Sequence, residues 1–156
     1  MNNNGQTIVE VLIVSLIVTV SLVGGFSLFS QFYLTNQIRS EQVVATYLAA
    51  EGLELIKNKV DSNKLGGAAF NSGLIDCSGG CTIDYRNSIS SGSGQLYIDQ
   101  SGLYSHNNIS GNQTPYSRII YIDSISGGLK AKSQVDWITR RGPFKVELDA
   151  YFYDWR

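Results

Sequence analysis

Between Glu10 and Arg39 the chain carries no charged side chain, and from Thr7 to Lys64 it contains no proline. A run of that kind leaves water, and its peptide groups must then satisfy one another. A continuous helix does this within one segment, and no proline removes a donor along the way. The apolar core from Val11 to Phe29 has 19 residues. At roughly 1.5 Å per residue it makes a helix of about 28 Å, close to the hydrocarbon thickness of one bilayer. Ser15, Thr19 and Ser21 lie inside it, and their hydroxyls can bond back to carbonyls of the preceding turn. Adjacent glycines each weaken a helix by about 1 kcal/mol relative to alanine, so Gly24-Gly25 is the expected place for a bend or local melting.

Glu10 is the exception at the edge of this run. An ionised side chain at bilayer depth costs roughly 2.5 to 3.5 kcal/mol on insertion scales and requires a partner or a purpose. The segment Gly5-Gln6-Thr7-Ile8-Val9-Glu10, followed by Val11-Leu12-Ile13-Val14, resembles the prepilin peptidase site of type IV pilins and their pseudopilin relatives. The resemblance implies a cut after Gly5 on the cytoplasmic face and methylation of the new amino terminus at Gln6. It also implies that Glu10 compensates the terminal amine of a neighbouring subunit during filament assembly. Gln6 stands where the family usually has phenylalanine, and the leader Met1–Gly5 has no Lys or Arg, hence no positive-inside signal of its own. Many pilins carry a helix-breaking proline shortly beyond Gly25, where this chain has Ser27, which points to a minor subunit. An ordinary secretory signal would show a shorter apolar core with its cleavage site beyond it; here the candidate cut comes first.

After Phe29, the polar residues Gln31, Thr35, Asn36, Gln37, Arg39 and Glu41 mark emergence into water. Ile38, Ala45, Leu48, Ala49, Gly52, Leu55 and Ile56 then recur at three- and four-residue steps, the pattern of a helix with one buried stripe. Glu51, Glu54, Lys57 and Asn58 fall off that stripe and are expected in solvent, with Glu54 and Lys57 spaced for a weak pair. The pattern predicts a helix from Thr7 to Val60, about 80 Å long. Asp61 to Gly67 supplies its stop, and Lys57, Lys59 and Lys64 complement its dipole. The stretch Ala45 to Glu54 resembles the helix exit of PilV-like minor pilins.

The remainder reads as strands: Thr82–Arg86, Gln95–Asp99, Leu103–His106, Tyr116–Asp123, Leu129–Thr139 and Phe144–Trp155. Each is β-branched or aromatic and bounded by turn formers. Asp99-Gln100-Ser101-Gly102 reads as a tight turn, and Arg140-Arg141-Gly142-Pro143 joins the last two strands. In the last strand Phe144, Val146, Leu148, Ala150 and Phe152 alternate with polar or tyrosine positions, so one face is buried and one is wet. Tyr104, then Thr114 to Ile120, Val135-Asp136-Trp137, Val146-Glu147-Leu148 and Tyr153-Asp154-Trp155 resemble the head of minor pilins. The expected fold class is α+β and pilin-like. It has a leader at 1–5, a membrane and assembly half-helix at 6–30 and an amphipathic half-helix at 31–60. An irregular loop at 61–81 and an antiparallel sheet head at 82–156 complete it.

Cys77 and Cys81 flank Ser78-Gly79-Gly80 in a segment the resemblance places outside the cytoplasm. A local disulfide is favoured there over free thiols, and a metal is disfavoured because His106 is the only histidine. His106 itself reads as a surface residue at a strand end. The tyrosines and tryptophans at 97, 104, 116, 121, 137, 151, 153 and 155 suit core and cross-strand packing, with interface contact as a second use. Net charge is −1, with twelve Lys and Arg scattered from Arg39 to Arg156, so a dedicated nucleic-acid surface is not expected. No phosphate loop, nucleophile elbow, carboxylate pair or HExxH is present in the sequence, which argues against an enzyme and implies no cofactor.

The expectation is a structural, minor subunit of a type IV pilus or related filament. It would be a single-pass cytoplasmic-membrane protein before assembly, head outside, and a surface or periplasm-spanning filament component afterwards. Its partners would be prepilin peptidase, other subunits meeting it through the N-terminal helix, and an inner-membrane assembly platform. A pseudopilin of type II secretion or DNA uptake is the close rival. A binding module on an uncleaved anchor is the rival of another class.

Overall fold

The computed structural model describes residues 4–74, 77–85, 89–107, 111–139 and 141–154, with side chains described from residue 7 onward. Helix α1 covers Asn4–Leu65, and a C-terminal antiparallel sheet follows, so the architecture is α+β. The chain divides into two compact units, 1–40 and 41–156.

The first unit is helix throughout its described residues. Its large apolar side chains from Ile8 to Tyr33 are exposed, each by about half or more. The hydroxyls behave as the sequence predicts: Ser15 Oγ donates to Leu12 O, Thr19 Oγ1 to the carbonyls of Ser15 and Leu16, and Ser21 Oγ to Ile17 O, at 2.7 to 2.9 Å. The expected melting at Gly24-Gly25 does not occur, because α1 continues through both. Helix propensity is a local preference, and the carbonyl ladder on either side outlasts two glycines.

In the second unit the helix runs five residues past its expected end. Asp61 to Leu65 are helical, and the stop lies at Gly66-Gly67. The amide of Gly67 donates to Lys64 O and that of Ala68 to Asn63 O. Gly67 has φ +72°, the left-handed position that closes a Schellman cap and that glycine occupies without penalty. Asn63 holds the following loop by donating from Nδ2 to Ser72 O at 2.8 Å.

Strands β1 (Thr82–Ile83) and β2 (Ile89–Ser90) form a small two-stranded sheet. The main sheet contains β3 (Gln95–Ile98), β4 (Tyr104–Ser105), β5 (Asn112–Ile125), β6 (Gly128–Thr139) and β7 (Gly142–Tyr153) in the order β4-β3-β5-β6-β7. The strands differ from expectation at their ends. Thr82–Arg86 shortens to two residues, with Arg86 outside the described residues, as are Arg140 and Trp155. β5 extends beyond Tyr116–Asp123 at both ends, and Gly142 and Pro143 belong to β7 instead of its connection. Pro143 is tolerated there because β7 is an edge strand. The Asp99 turn is as expected: Gly102 N donates to Asp99 O, and Asp99 Oδ1 accepts from the amides of Ser101 and Leu103.

Two apolar clusters lie between helix and sheet. Near residue 48, Ala45, Leu48 and Ala49 pack with Leu96, Tyr116, Val135 and Trp137. Further along, Leu55, Ile56 and Val60 pack with Leu74, Ile83, Ile120, Ile122, Leu129 and the two cysteines. The predicted stripe is therefore the buried face of the second unit. Gly52 sits at the junction, where a Cβ would lie 2.6 Å from Ser133 Oγ and 3.1 Å from Arg118 Cδ. The small side reads as close approach of helix to sheet, and it leaves room for polar groups between the clusters.

Candidate functional site

Gly5, Gln6 and Glu10 all lie on α1. Gln6 and Glu10 are four positions apart along it. The side chain of Glu10 is exposed, and no ion pair to it occurs among the described residues. Within residues 1–40 the only basic side chain is Arg39, 29 positions further along. Depressions on this stretch, such as that between Leu22, Val23, Phe26 and Ser30, are gaps between side chains of one exposed helix and enclose nothing. What the segment offers chemically is an apolar cylinder and one carboxylate near its start.

The head contains a polar centre that the sequence reading missed. Arg118 is fully buried on the inner row of β5. Its Nη1 donates to Leu48 O at 3.0 Å and lies 3.4 Å from Glu51 Oε2, and its Nη2 donates to Ile83 O at 3.2 Å. Burial pushes the guanidinium down, and Glu51 offsets part of that by stabilising the charge. Arginine keeps its proton under all relevant conditions, so the group is a fixed buried cation. Glu51, expected in solvent, is the half-buried counterion that makes this tenable. Beside it, Asp84 Oδ2 accepts from Ser105 Oγ at 2.9 Å and from the His106 amide at 3.3 Å.

His106 is likewise not the surface residue expected. It is half-buried, with Nδ1 3.2 Å from Gln95 O. Its pKa is held below the ordinary value, first by burial and then by repulsion from Arg118, with Asp84 opposing. Asp84 Oδ1, His106 Nε2 and Arg118 Nε have no hydrogen-bond partner among the described residues. The arrangement does not make a nucleophile: Ser105 donates to Asp84, and the imidazole faces a backbone carbonyl, whereas serine catalysis needs a hydroxyl–imidazole contact. Its visible work is to tie helix, β1, β4 and β5 to one point. One signal could have found it. Along β5 the inner parity reads Thr114, Tyr116, Arg118, Ile120, Ile122, and a cation on an apolar parity demands a buried partner.

Cys77 and Cys81 form a disulfide with Cα atoms 5.2 Å apart. Both are buried, and Cys81 exchanges two 2.8 Å backbone hydrogen bonds with Ile120, fixing the loop to the centre of the sheet. Gly80 adopts φ +94°, and a Cβ there would lie 2.9 Å from Ile119 Cγ2. It is therefore the one of the two loop glycines that both the turn and the close approach require. Comparison with protein-family models, curated proteins and solved structures matches the chain to none of them.

Proposed function

We propose that this chain is a prepilin-type filament subunit, cut after Gly5, methylated at Gln6 and assembled with other subunits through α1. The observation that carries the reading is Glu10, a carboxylate at the head of an exposed apolar helix with no basic side chain in its own unit before Arg39. A carboxylate and a new α-amine cannot both stay uncompensated in hydrocarbon, so pairing between adjacent subunits favours a staggered array of helices. The helix is long and apolar enough to span a bilayer, and the paired cysteines suit a head outside the cytoplasm. Prepilin peptidase and a membrane assembly platform are the further partners this reading requires. The polar centre of the head serves architecture, and a minor structural role needs no reaction from it.

Intact-mass and N-terminal peptide analysis of the protein from its own membrane tests the first step. A chain beginning at methylated Gln6 is expected, and a retained Met1–Gly5 leader would replace the reading with an anchored binding module. Glu10→Gln is expected to leave cleavage intact and to lower filament incorporation at least tenfold. Wild-type incorporation would sink the pairing.

A further inference from the structure

The β4 edge of the main sheet is short. β4 has two residues, and only the pairs Tyr97 with Ser105 and Ile98 with Tyr104 join it to β3. So short a strand depends on side-chain contacts at its end. Ser105 Oγ donates to Asp84 Oδ2 at 2.9 Å, and the His106 amide donates to the same oxygen at 3.3 Å. His106 Nδ1 lies 3.2 Å from Gln95 O on β3, and the Asn107 amide donates to Ser105 Oγ at 3.0 Å.

These contacts dictate the protonation state of the ring. A carbonyl oxygen only accepts, so the assigned tautomer carries its proton on Nδ1 and gives it to Gln95 O. Nε2 then presents a bare lone pair that is enclosed and has no hydrogen-bond partner among the described residues. A second proton would make it a buried N–H with nothing to accept it, and would set a positive ring beside the fixed cation of Arg118. The other charged groups do not undo this. Asp84 attracts the ring more weakly than Arg118 repels it, and burial adds the largest penalty. Glu51 of α1 is paired with Arg118 at 3.4 Å, and Asp99 is committed to the amides of Ser101 and Leu103. β2, β3 and β4 contain no acidic or basic side chain; their titratable groups are the phenols of Tyr97 and Tyr104.

We infer that His106 is an acid-released latch: when protonated its ring leaves the interior and draws β4 away from β3 and Asp84, while β5, β6 and β7 stay paired. The ring reaches solvent only by moving away from Gln95, and it adjoins Ser105, so the bond from Ser105 to Asp84 goes with it. The rest of the sheet is held in continuous register along β5, β6 and β7 and does not depend on these contacts. The closed latch binds the proton less readily than the open one. Closure is therefore complete above pH 6.5 and is lost as pH falls from there, by at most about tenfold per pH unit, until the lowered closed-state value is passed.

The test is residue-resolved amide hydrogen exchange on the full chain in detergent micelles between pH 7.5 and 5, each rate divided by its unstructured-peptide value at the same pH. Protection of the His106 and Asn107 amides is expected to fall at least threefold by pH 5, in step with titration of the His106 ring signals. Their exchange should be insensitive to low urea, because a local opening exposes little surface, whereas exchange in β6 should rise with urea. His106→Asn should remove the pH dependence. Unchanged protection would overturn the latch, and so would increased protection, which would mean that Asp84 captures the charged ring. A urea dependence equal to that of β6 would place the release in global unfolding and overturn it as well, as would a pH dependence that survives in His106→Asn. The wild-type comparison of exchange with ring titration decides the matter even where that variant does not fold.

Discussion

The two halves of α1 share one backbone geometry and differ in what surrounds them. In residues 7–33 apolar side chains point in every direction and none is covered; in residues 45–60 one stripe of them is covered by the sheet, while Tyr47 off that stripe stays exposed. The first pattern suits a surrounding that is apolar on all sides, lipid or other helices. The second suits one face against a sheet and one in water. Glycines mark the same contrast, because Gly24 and Gly25 face open space while Gly52 is wedged against Ser133 and Arg118. Where a partner is supplied from within the chain, small residues report close packing. Where the partner comes from elsewhere, they report nothing.

The contrast can be broken most forcefully at Arg118. Removing it as Arg118→Ala leaves Glu51 and two buried carbonyls without their donor, and should destabilise the head by about 3 to 5 kcal/mol in urea unfolding followed by near-ultraviolet circular dichroism. The helicity of residues 7–33 in micelles should not change. Next comes the glycine pair. Gly52→Val should cost about 2 to 3 kcal/mol, since overpacking at a 2.6 Å contact outweighs any gain in helix propensity. Gly24→Val should leave the melting of the head unchanged; equal effects at the two sites would remove the distinction drawn between the halves.

Replacing both cysteines by serine should cost about 2 kcal/mol, the gain expected from so short a loop. The loss should appear first as faster amide exchange at Cys81 and Ile120. A loss confined to other strands would show that the bridge does not anchor the loop to the sheet.

The smallest effect concerns acid. The folded head holds the pKa of His106 below its ordinary 6.5, so the unfolded chain binds the proton more readily. Its contribution to stability is present above pH 6.5 and is lost as pH falls from there through the lowered folded value. Unfolding between pH 7.5 and 5 should therefore show a gentle decline that His106→Asn flattens. An unaltered slope in that variant would assign the decline to other groups.

Much of this was legible because the periodicities are local. The uncharged run, the stripe from Ala45 to Ile56 and the alternation of β7 each follow from a few neighbouring residues; the first two appear where expected, and β7 alternates as expected except that its inner row is half-buried instead of buried. The helix end was misplaced because Asp61-Ser62-Asn63 resembles turn chemistry, while the Schellman cap at Gly66-Gly67 and the docking of Asn63 onto the next loop decided the boundary. Glu51 and His106 were assigned to solvent because their partners, Arg118 and Gln95, are 67 and 11 positions away in the chain.

By itself the sequence determined that one helix begins with a long uncharged apolar stretch, that a sheet follows, and that Glu10 stands alone near the start. Those are properties of composition and spacing, and they hold before any distant contact forms. Only the tertiary structure decided that Arg118 is buried and paired, that Gly52 is the contact point, and that β6 is covered while β7 is left as an edge. Each of these depends on which strands lie side by side, and residues far apart in the chain meet only after the sheet order is set.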